Sequence, residues 1–123
     1  MPASPSADIP QFEISSGRGP DDVFVVRVAG EVDISHEDEL RGELGKAVAE
    51  SSAGVVVDLT DCNFIDSSGV RALLVSRETQ GEGGGGFAVA ASSEQIVRIL
   101  SVMGVDKVIP VSPTVEQAAA ELR

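Results

Sequence analysis

The sequence lacks tryptophan and tyrosine, has one histidine and one cysteine, and contains only 9 basic residues against 20 acidic ones. A single cysteine, Cys62, cannot form an internal disulfide, so nothing indicates an oxidising compartment. The formal charge of -11 argues against nucleic-acid binding, because that affinity comes mainly from lysine and arginine contacts with phosphates. No apolar run reaches the roughly 18 residues that a membrane-spanning helix needs. We therefore expect a cytoplasmic protein that neither binds nucleic acid nor crosses a membrane.

The length of 123 residues, with 42% hydrophobic content, suits one domain with one buried core. Residues 1–10 contain three prolines and two serines but no basic cluster and no apolar stretch. This composition predicts a flexible N-terminal tail that is neither a signal peptide nor an anchor. We expect residues 11–123 to form the folded domain.

Hydrophobic periodicity predicts the element order ββαβαβαβα, an α/β fold with a mixed, mostly parallel sheet of about five strands and about four helices. The segment Val55–Leu59 is nearly continuous in apolar residues, as expected for a central strand that helices cover on both faces. The predicted strands are Phe12–Ser15, Val23–Ala29, Val55–Leu59, Phe87–Ala91 and Lys107–Val111.

Capping residues and helical spacing predict the four helices. The first helix is capped by Ser35 and ends near Glu50, and the second follows a loop over Thr60–Asp66 and ends near Gly81. The third starts at Ser92 or Ser93, with Gln95 completing a capping box on Ser92, and stops at Gly104. The fourth has Ser112 as its cap and Pro113 as its first residue. The side chains predicted to face inward from the second and third helices are Val70, Leu73, Leu74 and the stem of Arg77, then Ile96, Val97, Leu100 and Met103.

The most informative segment is Asn63–Val70, which joins the buried strand to the second helix. Asp66 is a good N-cap, so Ser67, Ser68 and Gly69 become first-turn residues whose N–H groups lack partners within the helix. A phosphoryl group placed there finds donors and the positive end of the helix dipole. The alternative is that Asp66 only caps the helix and the serines are tolerated first-turn residues.

Three segments together carry a family resemblance: Gly30-Glu31-Val32-Asp33, Val56-Val57-Asp58-Leu59 and Phe64-Ile65-Asp66-Ser67-Ser68-Gly69-Val70. From about Phe12 to Leu122 the chain resembles the anti-sigma factor antagonist family, the STAS-domain proteins. The resemblance implies that Ser67, directly after the aspartate, is phosphorylated by a partner that is both a serine kinase and an anti-sigma factor. It also implies partner switching, in which phosphorylation ends that binding, and a phosphatase that reverses it. Ser68 is the second candidate acceptor.

The residues that the resemblance places at the partner-binding site are Asp33, Asp66, Ser67, Ser68, Gly69 and Arg71. Such a protein is a kinase substrate and regulator, so we expect no enzymatic activity, no cofactor and no metal. Two positions depart from the family pattern. Arg71 replaces a small or aliphatic residue, and either pairs with a phosphate or a partner carboxylate or is simply a solvated helix residue. Cys62 also stands where aliphatic residues are frequent, and we interpret it as a buried, inert thiol.

Other patterns are set aside on physical grounds. The run Gly81–Gly86 matches a dinucleotide fingerprint but leads into a strand instead of opening a helix, which favours a flexible loop. The side chains of His36, Glu37 and Asp38 point about 100° apart on a helix and cannot converge on a metal. Nucleophilic catalysis by Cys62 or Ser67 with His36 lacks an orienting residue and an oxyanion motif.

Two other classes of function stay open at this point. One is a small-ligand or nucleotide-binding STAS sensor domain, with a ligand phosphate at the same strand-to-helix edge. The other is a structural subunit of a larger signalling assembly. The single-domain length favours a monomer or weak dimer that binds its partners transiently.

Overall fold

The computed structural model describes residues 11–51, 53–82 and 85–122. The predicted N-terminal tail, residues 1–10, lies outside this range. Five strands form one sheet in the order β1-β2-β3-β4-β5, with β1 antiparallel to β2 and all other neighbours parallel. The strands are β1 (Phe12–Arg18), β2 (Phe24–Val32), β3 (Val55–Ile65), β4 (Phe87–Ala90) and β5 (Val111–Ser112). The helices are α1 (Glu37–Glu50), α2 (Ser67–Glu82), α3 (Glu94–Val102) and α4 (Val115–Ala120).

The helices cover the two faces of the sheet unequally. Helices α1, α2 and α3 pack on one face, and α4 alone packs on the other. Alternation along β2 follows this division, since Val26 and Val28 join the core under α1–α3 while Val25 joins the core under α4. The predicted α/β architecture, including a central strand covered on both sides, is confirmed. None of the described helices is long and apolar enough to cross a membrane.

The loop predicted over Thr60–Asp66 is wrong, because β3 continues to Ile65. Its polar residues had suggested a loop. Pairing with β2 persists through two register irregularities, between Arg27 and Ala29 and between Gly30 and Glu31, so the strand absorbs these residues without losing its partner. The consequence is that β2 and β3 end side by side.

Two predicted caps are also wrong. Ser35 does not cap α1; instead Asp33 caps a 3₁₀ turn over Ile34–His36, and α1 begins only at Glu37. Ser112 belongs to β5, and Thr114 caps α4 by accepting a hydrogen bond from the Gln117 N–H at 3.1 Å. The start of α1 itself has no side-chain cap, whereas the Thr114 hydroxyl caps α4 in place of Ser112.

In α3, Ile96 and Leu100 are buried as predicted, but Val97 and Met103 are exposed. Ser93 precedes this helix without a side-chain capping bond, so the predicted capping box of Ser92 and Gln95 is wrong. Gly104 ends the helix with φ of 78°, a left-handed conformation that favours glycine.

Two further assignments change. In α2 the stem of Arg77 is not buried; Ser76 and Gln80 occupy the inner face, and the Gln80 amide donates to Ser51 Oγ at 2.8 Å. The predicted strand Lys107–Val111 is mostly wrong, because only Val111 belongs to β5. Lys107 ends a 3₁₀ turn over Val105–Lys107 whose first residue, Val105, is buried in the core, and residues 108–110 form neither helix nor strand.

Candidate functional site

The carboxyl ends of β2 and β3 meet at one edge of the sheet. Val32 pairs with Ile65, and the Asp66 N–H donates to the Val32 carbonyl at 3.1 Å. Asp33 and Asp66, each directly after its strand, therefore lie at the same edge, as the sequence predicted. In parallel sheets this edge is where ligands and partners bind.

Asp66 fixes the start of α2. Its Oδ1 accepts hydrogen bonds from the backbone N–H groups of Ser68 at 3.0 Å and Gly69 at 3.3 Å, and from the Ser68 hydroxyl at 2.6 Å. One carboxylate oxygen thus satisfies two of the N–H groups that the first turn leaves unpaired. The predicted capping role of Asp66 is confirmed.

Replacing Asp66 by alanine is expected to lower the free energy of unfolding by about 1 to 2 kcal/mol, because both N–H groups lose their acceptor. Urea unfolding followed by circular dichroism measures this loss. Asp66→Asn is the matched control, since asparagine caps helices as well as aspartate and should cost less than half as much. Equal losses in the two variants would show that the charge, and not the cap, stabilises the helix.

The two serines of the motif differ in their surroundings. Ser67 is the first residue of α2 and is exposed, and its hydroxyl makes no hydrogen bond with any described residue. Ser68 is half-buried and its hydroxyl is engaged by Asp66. An incoming enzyme can therefore reach the Ser67 oxygen without breaking a hydrogen bond, whereas Ser68 must first leave its acceptor.

Gly69 brings the first turn of α2 against the ends of the strands. A Cβ atom on this residue would lie 2.7 Å from Ile65 Cγ1 and 2.9 Å from Val32 Cγ1. Both contacts are shorter than atoms tolerate, so only glycine allows this approach. Gly69 is buried and therefore positions the helix start rather than presenting a side chain to a partner.

Asp33 is held by its own 3₁₀ turn. It accepts hydrogen bonds from the Ser35 hydroxyl and from the Ser35 N–H, the latter at 2.9 Å. The Ser35 hydroxyl is the main reason that the pKa of Asp33 is lowered, with a smaller contribution from the nearby His36. Asp33 is thus kept as a carboxylate at the edge of the sheet, and this negative charge adds to that of Asp66.

His36 belongs to the support of Asp33. Its ring stacks on Phe12 with centroids 4.2 Å apart, and its Nδ1 lies 3.3 Å from Asp33 Oδ1. Within the described residues, no group of three or more histidine, cysteine, aspartate or glutamate side chains is arranged to hold a metal ion. The ring packs against Phe12 of β1, and no hydrogen bond joins it to Ser67 among the residues that the structure describes.

Arg71 lies four residues after Ser67, so both project from the same side of α2. The guanidinium is exposed and forms no ion pair with the described part of the chain. It is therefore available to a phosphate or to a partner carboxylate, and the two interpretations of this residue both remain compatible with its position.

Two apolar side chains at this edge were not predicted as site residues. Ile34, next to Asp33, is 74% exposed, and Phe64, two residues before Asp66, is 38% exposed. Large exposed apolar side chains beside polar ones are typical of protein-binding surfaces. The signal in the sequence was that both stand outside the periodic pattern of the core.

Cys62 is buried, as predicted. Its thiol donates to the Phe64 carbonyl at 3.2 Å, and burial raises the pKa of the thiol. A raised thiol pKa reduces the thiolate fraction at neutral pH, which disfavours a nucleophilic role.

The dinucleotide-like run Gly81–Gly86 does not follow a strand and open a helix, as a dinucleotide-binding loop would. Gly81 and Glu82 lie in the last turn of α2, residues 83–84 lie outside the described residues, and the run leads into β4.

Comparison with known proteins places these features in a family. The STAS domain family model matches residues 17–118. The chain is 29% identical over 113 residues to the anti-sigma F factor antagonist of Paenibacillus polymyxa, covering 91% of this chain and 94% of that protein. The resemblance inferred from the three sequence segments is thereby confirmed.

Solved structures agree with this assignment. An anti-sigma factor antagonist from Mycobacterium paratuberculosis is 31% identical, with a TM-score of 0.83 over 91% of this chain and 94% of that one. The phosphorylated form of the Bacillus cell fate determinant SpoIIAA shares the fold, with a TM-score of 0.67 and 19% identity over 90% of this chain and 100% of that one.

Proposed function

The chain belongs to the STAS domain family, and we propose that it is an anti-sigma factor antagonist that loses its partner when Ser67 is phosphorylated. In this proposal the partner is an anti-sigma factor with serine kinase activity, and a phosphatase restores the unmodified state. The protein is a regulator and kinase substrate in the cytoplasm rather than an enzyme. The observation that carries the proposal is the exposed, unbonded Ser67 hydroxyl at the start of α2.

The choice of Ser67 rests on access and on local electrostatics. The hydroxyl is exposed, while that of Ser68 is held by Asp66 at 2.6 Å. A phosphate on Ser67 gains the favourable field of the α2 N-terminus, which offsets part of its repulsion from Asp66. The modified domain should therefore stay folded.

The surface around Ser67 combines charge with apolar area. Asp33 and Asp66 supply carboxylates, and Ile34 and Phe64 supply exposed apolar side chains within three residues of Asp33 or Ser67. Such a surface fits a partner that presents basic residues around an apolar groove. Arg71, on the same side of α2 as Ser67, is placed to contact an acidic residue of that partner.

Phosphorylation acts on this surface by adding a charge of about -1.5 to -2. Two carboxylates already lie at the same edge, and binding requires the site to lose water. Burying an additional dianion beside like charges is costly, so the complex is destabilised far more than the free domain. This difference is what allows one modification to switch the partner.

The alternative of a ligand phosphate at this same edge is less well supported. The Ser68 and Gly69 N–H groups that would bind it already donate to the Asp66 carboxylate. A phosphate would have to displace that carboxylate and remain beside its negative charge. A covalent phosphate on Ser67 does not need those two donors.

The proposal is tested by incubating the protein with its cognate anti-sigma kinase and ATP and mapping the phosphate by mass spectrometry. We expect one phosphate on Ser67, and its loss in Ser67→Ala. The matched control is Ser68→Ala, which changes the neighbouring hydroxyl and should still be phosphorylated on Ser67. Modification that persists unchanged in Ser67→Ala would overturn the proposal.

A further inference from the structure

A groove of about 760 Å³ lies on the face of the sheet that only α4 covers. The end of β1 at Arg18 and the following Gly19 and Pro20 form one wall, and Thr114 with the start of α4 forms the other. Arg27 and Thr60 lie on the floor, and Ser92 closes the end beyond β4. The volume is within the range of small-molecule sites. This groove is separate from the Ser67 edge, which lies where β2 and β3 end.

The register of the strands determines which residues form the floor of the groove. The row of paired residues that crosses all five strands is Ser15, Arg27, Asp58, Ala90 and Ser112. The preceding row on the same face includes Val25, Val56 and Ala88, which pack in the core under α4. On β1, β2 and β3 the face therefore changes from apolar to polar in one step, whereas Ala90 of β4 still packs in the core under α4. Of the row, Ser15 and the Arg27 side chain are exposed and Ser112 is half-buried.

Arg27 is fixed from beneath by a buried carboxylate. The side chain of Asp58 is only 4% exposed, and its Oδ2 accepts from Arg27 Nε at 3.0 Å. Its Oδ1 accepts from the Thr60 N–H at 2.9 Å and the Thr60 hydroxyl at 2.6 Å. The guanidinium is thus tethered through Nε, while its two Nη groups form no bond with the described part of the chain. An arginine anchored by a buried partner with its outer donors free is a prepared anion site.

We propose that this groove binds a small organic anion, a phosphate monoester or a carboxylate, with Arg27 as its anchor. Among the residues that the structure describes, Glu116 is the one acidic residue that lines the groove beside Arg27 and Arg18. Each arginine also pairs with a carboxylate outside the lining, Arg27 with Asp58 at 3.0 Å and Arg18 with the exposed Asp22 at 3.6 Å. The hydroxyl groups of Ser15 and Ser92 line the groove and can donate to such a ligand, whereas the Thr60 hydroxyl already donates to Asp58. The site would give the domain an input that does not depend on the Ser67 switch.

The test is a titration of ¹⁵N-labelled protein followed by NMR. Inorganic phosphate and succinate are the two probes, added separately with ionic strength held constant by sodium chloride. We expect saturable shifts of the amides of Ser15, Arg27, Thr60 and Ser92 with at least one probe. The probe that binds more tightly distinguishes phosphate from carboxylate recognition.

Arg27→Gln is expected to weaken binding roughly tenfold to a hundredfold, because it removes a charged hydrogen-bonding group. Arg98→Gln, a matched change on the exposed side of α3, should leave the affinity unchanged. Because loss of Arg27 also leaves Asp58 without its cation, Ser15→Glu provides a second variant. It keeps the Arg27–Asp58 pair, lies at an exposed position opposite Arg27, and should block the probes by adding a carboxylate.

Unchanged binding in both Arg27→Gln and Ser15→Glu would overturn the proposal. So would the absence of saturable shifts with both probes, or shifts confined to residues outside the groove. Because none of these variants touches Ser67, Asp33 or Asp66, the outcome does not depend on the partner-switching proposal.

Discussion

Protein phosphorylated on Ser67 is expected to bind its anti-sigma factor about thirtyfold to a thousandfold more weakly than the unmodified protein, a loss of about 2 to 4 kcal/mol. The cause is the dianion itself. It must be desolvated at an edge that already holds the Asp33 and Asp66 carboxylates, and Asp33 stays ionised because the Ser35 hydroxyl lowers its pKa.

Isothermal titration of both forms against the anti-sigma factor, with ADP in place of ATP so that no phosphate is transferred, measures the effect. The thermal unfolding midpoint of the free protein should change little, because the α2 N-terminus stabilises the added charge. A phosphorylated Ser68→Ala protein is the control and should lose affinity to the same extent. Equal affinities of the modified and unmodified forms would contradict the switch.

The two carboxylates can be examined separately. In the phosphorylated protein, Asp33→Asn removes one negative charge from the edge and should recover part of the lost affinity. The same substitution in unmodified protein should not improve binding, because the carboxylate then faces the partner's basic residues without competition. Recovery of the same size in both forms would show that Asp33 repels the partner regardless of phosphate.

The sequence predicted the geometry at the start of α2 because that geometry is local. Asp66, Ser67 and Gly69 are consecutive or nearly so, and the spacing of a cap and a first turn does not depend on distant residues. Likewise, the nearly continuous apolar run Val55–Leu59 is typical of a strand covered on both faces, and the structure confirms it as part of β3.

Features that depend on pairing between strands could not be predicted in the same way. The end of β3 at Ile65 depends on two register irregularities in its pairing with β2, at each of which β3 has one residue more than β2, and no local pattern encodes them. The Arg27–Asp58 pair depends on which residues become neighbours across the sheet, and the residues are 31 positions apart. The groove that they form was therefore invisible in the sequence, although each of its residues is unremarkable in isolation.

Two exposed apolar residues were wrongly predicted to be buried, for a related reason. Val97 and Met103 fit the helical spacing of α3 but lie outside the buried stripe of Ile96 and Leu100. Periodicity identifies the face of a helix only to within about one residue on either side. Packing against the sheet then decides which of the border residues is covered.

Replacing Gly69 by valine is expected to lower the free energy of unfolding by about 3 kcal/mol. The new Cβ would lie 2.7 Å from Ile65 Cγ1 and 2.9 Å from Val32 Cγ1. Neither neighbour can move aside easily, because Val32 is fully buried and Ile65 is 2% exposed. Relief therefore requires α2 to shift away from the strand ends. Urea unfolding measures the change.

Gly42→Val is the matched control, since Gly42 is an exposed α1 residue whose added Cβ would meet no atom within 4 Å. It should unfold within about 0.5 kcal/mol of the unmodified protein. If both valine variants were equally stable, the close approach of α2 to the strands would impose no strain. If only Gly69→Val is destabilised, its folded fraction should also be phosphorylated more slowly on Ser67. The glycine that allows the helix to approach the strands then also fixes where the acceptor hydroxyl stands relative to the kinase.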